Sequence, residues 1–177
     1  MASLRCAQAS EFDIAATRMV SVAKDGSENV RKSVKITAER IIRGDLRTIW
    51  NIETDVNSWP KWDPHEEAAR FDGPFAVGQK GWSKPRGGPE ANWVITAVEK
   101  PRRWALDNPV FGGKLEVEKT YEAVDKEQVR CTKTMVVKGI LVPLFWLYFA
   151  RVTRRDMFLS WEALEKEVAR VKATQGR

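Results

Sequence analysis

The sequence predicts an α+β fold in which a curved antiparallel sheet is covered by one long C-terminal helix. Between residues 66 and 137, short alternating segments are separated by glycine, proline and charged turns, which is typical of an antiparallel meander of six strands. Near the C-terminus, apolar residues recur at steps of three and four over about 20 residues, which predicts an amphipathic helix. A helix of that length spans ~30 Å and can cover a whole sheet.

A chain of 177 residues is most simply one domain. Residues 1–32 are polar, poor in aromatic residues and without clear periodicity, so we expect them to form a flexible N-terminal extension. The folded domain is expected to occupy residues 33–173. Folding at this length buries roughly 70% of the surface of the extended chain, which is enough for one core and an internal cavity.

The first strand and the first helix are predicted before the meander. The segment 34–42 alternates and ends in two adjacent isoleucines, which indicates a strand with a bulge near its end. Gly44 and Asp45 then provide a stop and a helix N-cap. The short helix that follows has an apolar face formed by Leu46, Ile49 and Trp50.

The stretch DVNSWPKWDPH, residues 55–65, holds two tryptophans, two prolines and the only histidine of the chain. Its prolines prevent a long helix here. Asp63 and His65 resemble an acid–base pair, but no second histidine completes a metal site and no hydrolase or metalloprotease motif occurs. We therefore interpret His65 as a solvated loop residue and assign no catalytic residue.

Two lysines lie on the apolar phase of predicted strands. Lys119 shares the phase of Val117 and Tyr121, and Lys133 shares the phase of Cys131. A buried lysine needs an anion, a hydrogen-bond partner or water. The two ammonium groups therefore either hold a ligand carboxylate or enolate, or reach water at an open end of a cavity.

Charge and cysteine content argue against several classes of protein. The formal charge is +6, with an excess of three positive charges in residues 1–43 and again in residues 151–177, whereas residues 44–150 are neutral. A nucleic-acid-binding domain would concentrate its charge on the folded face, so no nucleic-acid partner is predicted. Cys6 and Cys131 are too far apart in sequence for a CxxC pair, which fits a reducing compartment. We expect a cytoplasmic protein with no metal and no cofactor.

The run GILVPLFWLYFA, residues 139–150, is the most membrane-like stretch of the chain. It is shorter than the ~18–20 apolar residues needed to span a bilayer, and it contains Pro143. Three arginines follow within residues 151–155. The segment 139–155 is therefore either the buried start of the long helix or a surface for a membrane, a partner or an oligomer contact.

Several spaced motifs resemble the START/polyketide-cyclase superfamily, often called SRPBCC. They are IW at 49–50, DVNSWPKWDP at 55–64, FDGPFAVGQKG at 71–81 and VEKPRRWAL at 98–106. The resemblance covers residues 34–172 and implies the helix-grip fold, with two short helices after the first strand. It also implies a cavity between the sheet and the C-terminal helix, with the short helices and the loop PRGGP (85–89) near its mouth.

The resemblance favours non-catalytic binding of a hydrophobic small molecule, such as a lipid, a polyketide or a quinone-like compound, in that cavity. Apolar walls would supply most of the affinity, at ~25 cal/mol per Å² buried, and a few polar groups would fix orientation. The alternative is an enzyme of the cyclase or dehydratase kind, with a lysine or Asp63 as acid–base group. The expected ligand contacts are Trp62, Trp82, Trp93, Lys119, Tyr121, Phe149 and Met157.

Overall fold

The computed structural model describes residues 33–140, Val142 and residues 150–175. The strands are β1 (Ser33–Arg43), β2 (Glu66–Phe71), β3 (Lys80–Pro85), β4 (Ala91–Glu99), β5 (Arg103–Val110), β6 (Gly113–Ala123) and β7 (Gln128–Gly139). The helices are α1 (Leu46–Thr54), α2 (Trp59–Trp62) and α3 (Ala150–Gln175), with a 3-10 turn at Val56–Ser58.

All seven strands form one antiparallel sheet in the order β1-β7-β6-β5-β4-β3-β2. The six strands from β2 to β7 are consecutive neighbours, so the predicted meander is confirmed. Strand β1 pairs with β7 without interruption, and Ile41 is 42% exposed whereas Ile42 is fully buried. The bulge predicted at the end of β1 is therefore wrong, because the two isoleucines simply face opposite sides of a regular strand. Register shifts lie instead in the β2–β3 and β4–β5 pairings, where they bend the sheet.

Helix α1 begins at the predicted cap. The Asp45 side chain accepts a hydrogen bond from the backbone N–H of Thr48 at 2.9 Å, which satisfies one of the free donors at the helix start. Ile49 and Trp50 are buried on the face that looks into the molecule. Capping and amphipathicity thus position α1 between the sheet and the long C-terminal helix.

Helix α3 covers the sheet with one apolar stripe. Met157, Trp161, Leu164 and Val168 are each at most 2% exposed, as their spacing predicts. The helix packs mainly against β1 and α1. The predicted α+β helix-grip architecture is confirmed.

A stack of aromatic rings fills the space between α2 and the strands β4 and β5. Trp59 stacks on Trp93 with 5.9 Å between ring centroids, and on Trp104 with 6.4 Å. Phe71 also stacks on Trp93, with 5.7 Å between ring centroids. The Trp59 indole N–H donates to the carbonyl oxygen of Glu53 at 3.0 Å, which fixes α2 against α1. Several of the eight tryptophans of the sequence therefore build the core beneath the two short helices.

Trp93 lies directly over Gly81 of β3, and a Cβ atom at that position would overlap its indole ring. We predict that Gly81→Ala lowers the free energy of unfolding by about 1–3 kcal/mol, because the ring must move within a packed core. Urea denaturation followed by tryptophan fluorescence measures this change. The control is Gly88→Ala in the following loop, where the new Cβ would meet Pro85 at 3.3 Å. Equal losses in the two variants would contradict the role given to Trp93.

Candidate functional site

A cavity of about 240 Å³ lies between the sheet and α3. Its strand-borne lining comes from alternate positions, such as 115, 117 and 119 on β6 and 133 and 135 on β7, because every second side chain faces the same side of a sheet. Helices α2 and α3 and the turn between α2 and β2 supply the rest. The apolar walls include Trp62, Trp93, Trp104, Leu106, Val117 and Met157.

Charged side chains line the same cavity. We call this set the polar cluster, which consists of Asp63, His65, Glu66, Lys133 and Asp156. The first three follow α2 directly, the lysine lies on β7 and the last aspartate lies on α3. Residues distant in sequence therefore share one chamber with the tryptophans.

Asp63 and His65 are fixed by contacts with α3. The Asp63 Oδ1 atom accepts hydrogen bonds from the backbone N–H of His65 at 2.9 Å and from the hydroxyl of Ser160 at 3.1 Å. The His65 Nδ1 atom lies 3.9 Å from an oxygen of Asp156, and its Nε2 atom is buried without a hydrogen-bond partner among the described residues. His65 is thus half-buried, with 29% of its side chain exposed, so it is less solvated than the sequence predicts.

Glu66 stands at the start of β2, inside the cavity. Burial, followed by the negative charge of Asp63, raises the pKa of the Glu66 carboxyl from 4.5 to about 7, against the opposing charges of Lys133 and Lys119. Its Oε2 atom is buried without a hydrogen-bond partner in the described part of the chain. A carboxyl group that is half-protonated near neutral pH can act as a general acid or a general base.

Lys119 is held by a buried ion pair. Its Nζ atom lies 2.5 Å from an Oε2 oxygen of Glu53 on α1, and the two side chains are 8% and 1% exposed. The ammonium also lies over the rings of Trp104 and Trp161, at 5.4 and 5.2 Å from their centroids, where cation–π attraction adds to its stability. Both interpretations offered for Lys119 from the sequence miss this partner, since its counter-ion is neither a ligand nor water but Glu53.

Glu53 could have been found from one signal in the sequence. It lies one turn after Ile49 and Trp50 on the apolar face of α1, where a carboxylate must meet a cation. The spacing predicts its burial but cannot name a partner 66 positions later.

The structure brings together four of the seven predicted ligand contacts. Trp62, Trp93, Lys119 and Met157 line the cavity. Trp82 does not, because its strand neighbours face inward and its own indole N–H donates to Glu90 at 3.3 Å on the other side of the sheet. Alternation shows that two faces exist but does not say which one is buried.

The other two predicted contacts lie elsewhere. Tyr121 is 2% exposed and packs in the core, where its hydroxyl accepts a hydrogen bond from the Trp104 indole at 3.0 Å. It is not among the residues that line the cavity. Phe149 lies outside the described residues, as does most of 141–149. The membrane, partner or oligomer surface suggested for 139–155 therefore stays a prediction.

Two further findings concern the described ranges 33–140 and 150–175. Although four acidic or imidazole side chains share the cavity, no three of these groups are arranged there to hold a metal ion. No helix in these ranges is long and apolar enough to cross a membrane.

Comparison with known proteins supports the fold. No protein-family model and no curated protein matches the sequence. An aromatase/cyclase from Streptomyces matches with a TM-score of 0.63 and 14% identity, over 78% of this chain and 94% of that one. A START superfamily protein from Mycobacterium smegmatis matches with a TM-score of 0.62 and 12% identity, over 77% and 98%.

Norcoclaurine synthase from Thalictrum flavum, in complex with dopamine and hydroxybenzaldehyde, matches with a TM-score of 0.63 and 12% identity, over 88% of this chain and 98% of that one. At identities this low, the structural matches establish a shared fold and nothing more. The chain therefore shares its architecture with START-type proteins and aromatase/cyclases across most of its length.

The buried ion pair between Lys119 and Glu53 predicts that substitutions of these two residues have non-additive effects on stability. We predict that Lys119→Met lowers the free energy of unfolding by about 3–5 kcal/mol, because Glu53 is left buried and unpaired. The double variant Lys119→Met/Glu53→Gln should lose less than the sum of the two single variants, since no uncompensated charge remains. Urea denaturation of all four proteins measures the coupling. Additive losses would show that the pair contributes nothing as a pair.

The raised pKa of Glu66 predicts a pH dependence of stability. Between pH 4.5 and about 7 the folded state holds a proton that the unfolded state releases, so stability falls as pH rises through this window. The shift corresponds to at most about 3 kcal/mol. Glu66→Gln should therefore be more stable than the wild type at pH 8 by a larger margin than at pH 5, measured by urea denaturation. A pH-independent difference would contradict the raised pKa.

Proposed function

We propose that this chain, which has the helix-grip fold of the START/SRPBCC superfamily, binds a small hydrophobic molecule in the cavity between the sheet and α3. The observation that carries the proposal is the chamber itself, with tryptophan, leucine, valine and methionine walls and a few charged groups. Ligand sites in proteins commonly combine an apolar lining with a small number of polar groups that fix orientation.

The size of the cavity narrows the class of ligand. Its volume of about 240 Å³ exceeds the ~150 Å³ of a cavity that holds benzene and falls below the ~300 Å³ at which sites for drug-sized molecules begin. A compound of one or two rings suits this volume better than a lipid or a long polyketide chain. In the norcoclaurine synthase complex, dopamine and hydroxybenzaldehyde are both single-ring compounds, which supports the same size class.

Aromatic walls favour an aromatic or quinone-like ligand. Four indoles line the chamber, those of Trp59, Trp62, Trp93 and Trp104, and aromatic rings attract one another beyond the effect of buried area. These four indoles also make ligand binding visible, because a bound compound changes their fluorescence.

A second candidate is an acid–base enzyme of the cyclase or dehydratase kind, and the polar cluster favours it. Glu66 has a pKa near neutral pH inside the cavity. Asp63, the carboxylate singled out from the sequence, is already engaged by Ser160 and by the backbone of His65. Glu66 is therefore the better acid–base candidate. Mass spectrometry of a bound compound before and after incubation, with wild type and with Glu66→Gln, tests whether the protein converts it.

Filling the cavity should abolish binding. We predict that naphthylmethanol quenches the tryptophan fluorescence of the wild type saturably, and that Ala91→Phe weakens this binding at least ~10-fold, or ~1.4 kcal/mol, because the new ring occupies the chamber. Asn92→Phe is the matched control, since this neighbour on β4 is exposed on the other face. Fluorescence titration measures both affinities.

Three outcomes would contradict the proposal. One is the absence of saturable quenching by naphthylmethanol together with no small molecule retained in native mass spectrometry. The second is equal weakening by Ala91→Phe and Asn92→Phe, which would place the compound elsewhere on the protein. The third is tighter binding of a long-chain lipid than of naphthylmethanol, which would contradict the size class.

A further inference from the structure

We infer that Lys133 is a reactive amine that forms an imine with an aldehyde or a ketone held in the cavity. The inference rests on the proposed function, because a carbonyl compound must first bind in the chamber. It assigns a chemical class to the ligand and a covalent role to one residue of the polar cluster.

Lys133 faces a second lysine across the sheet. In the pairing of β6 with β7, Lys119 and Lys133 are direct partners, so their side chains leave the same face of the sheet, and both line the cavity. The next pairs on this face, Val117 with Met135 and Tyr121 with Cys131, offer no opposite charge. Two like charges directly opposite each other on neighbouring strands are destabilising. Loss of a proton from one of the two ammonium groups would therefore relieve this repulsion.

The surroundings decide which lysine stays charged. Lys119 is paired with the buried carboxylate of Glu53 and lies against two indole faces, all of which stabilise the cation. Lys133 has no carboxylate oxygen of the described residues within 4.0 Å of its ammonium. Lys119 therefore has a counter-ion in contact, whereas Lys133 has none among the described residues.

The pKa of Lys133 follows this asymmetry. Burial lowers it first, and the positive charge of Lys119 lowers it further. The carboxylates that oppose this effect are Asp63, Glu53 and Glu66. His65 and Asp156 are the remaining titratable groups that line the chamber. A lysine desolvated in an apolar pocket beside another cation is one of the known ways in which proteins activate an amine as a nucleophile.

The reaction needs only groups that the cavity holds. The lone pair of the neutral Lys133 nitrogen adds to the carbonyl carbon. The nitrogen then gives up one proton as the carbonyl oxygen takes one up, which gives a carbinolamine. Protonation of that hydroxyl lets it leave as water while the nitrogen forms a double bond to carbon and gives up its second proton. Carbon and nitrogen keep their oxidation states, so no oxidant or reductant takes part. Glu66, with a pKa of about 7 in the same chamber, can give and take back these protons.

The test traps the imine. The full chain is incubated with naphthaldehyde and sodium cyanoborohydride near neutral pH, and the modified lysines are identified by digestion and mass spectrometry. We expect Lys133 to be alkylated at least ~10 times faster than Lys126, an exposed lysine in the β6–β7 turn that serves as internal control. An excess of naphthylmethanol should slow the reaction at Lys133 and leave that at Lys126 unchanged.

Two variants test the Lys133 amine and the neighbouring Lys119 charge separately. Lys133→Arg has no nucleophilic amine, so the fast adduct should disappear while Lys126 goes on reacting at its wild-type rate. Lys119→Met/Glu53→Gln removes the neighbouring cation together with its counter-ion, so the rate at Lys133 should fall at neutral pH. If this double variant does not fold, the pH profile of the wild type serves instead. The rate at Lys133 must then level off at a lower pH than the rate at Lys126.

The outcomes distinguish this inference from the proposed function. Saturable binding of naphthylmethanol without preferential alkylation of Lys133 overturns the inference and leaves the binding proposal standing. Preferential alkylation of Lys119 overturns the assignment of the reactive amine. Failure of both binding and alkylation overturns both proposals.

Discussion

The ion pair between Glu53 and Lys119 is the contact on which the arrangement of this molecule depends. Two charges removed from water are tolerable only when each has the other, so α1 and β6 must meet at this point. The rings of Trp104 from β5 and Trp161 from α3 lie against the same ammonium. The carbonyl of Glu53 also receives the indole N–H of Trp59, which anchors α2. These contacts hold three helices and two central strands in place around one buried cation.

The chemistry of the cavity beside this pair follows from the burial of its charged groups. Apolar walls that could bind a ring compound are the same walls that desolvate Glu66 and Lys133, raising the pKa of the carboxyl and lowering that of the amine. An apolar ligand that buried Glu66 and Lys133 further would shift both pKa values further in these directions. Ligand binding and proton uptake or release are therefore linked in this chamber, whatever the ligand.

Periodicity predicted the parts of the structure that local sequence controls, and it could not predict pairings across the fold. The stripe of α3 and the six-strand meander follow from spacing alone, so both were predicted correctly. Alternation does not reveal which face of a strand is buried, so it cannot show that Trp82 faces away from the cavity. The partner of Lys119 lies far away in sequence, on a different kind of element. Nothing local to His65 indicates that α3 brings Asp156 to within 3.9 Å of its ring.

Because Trp93 lies against Gly81, the volume of the cavity depends on the residues at these two positions of adjacent strands. Only a residue without a side chain allows the indole of β4 to lie across β3, and that indole is part of the cavity wall. A chain with a larger residue at 81 would need a smaller one at 93, and the space now filled by the ring would pass to the ligand. In evolution, one coordinated exchange at these two positions would change which size of compound the protein accepts while the rest of the sheet stayed the same.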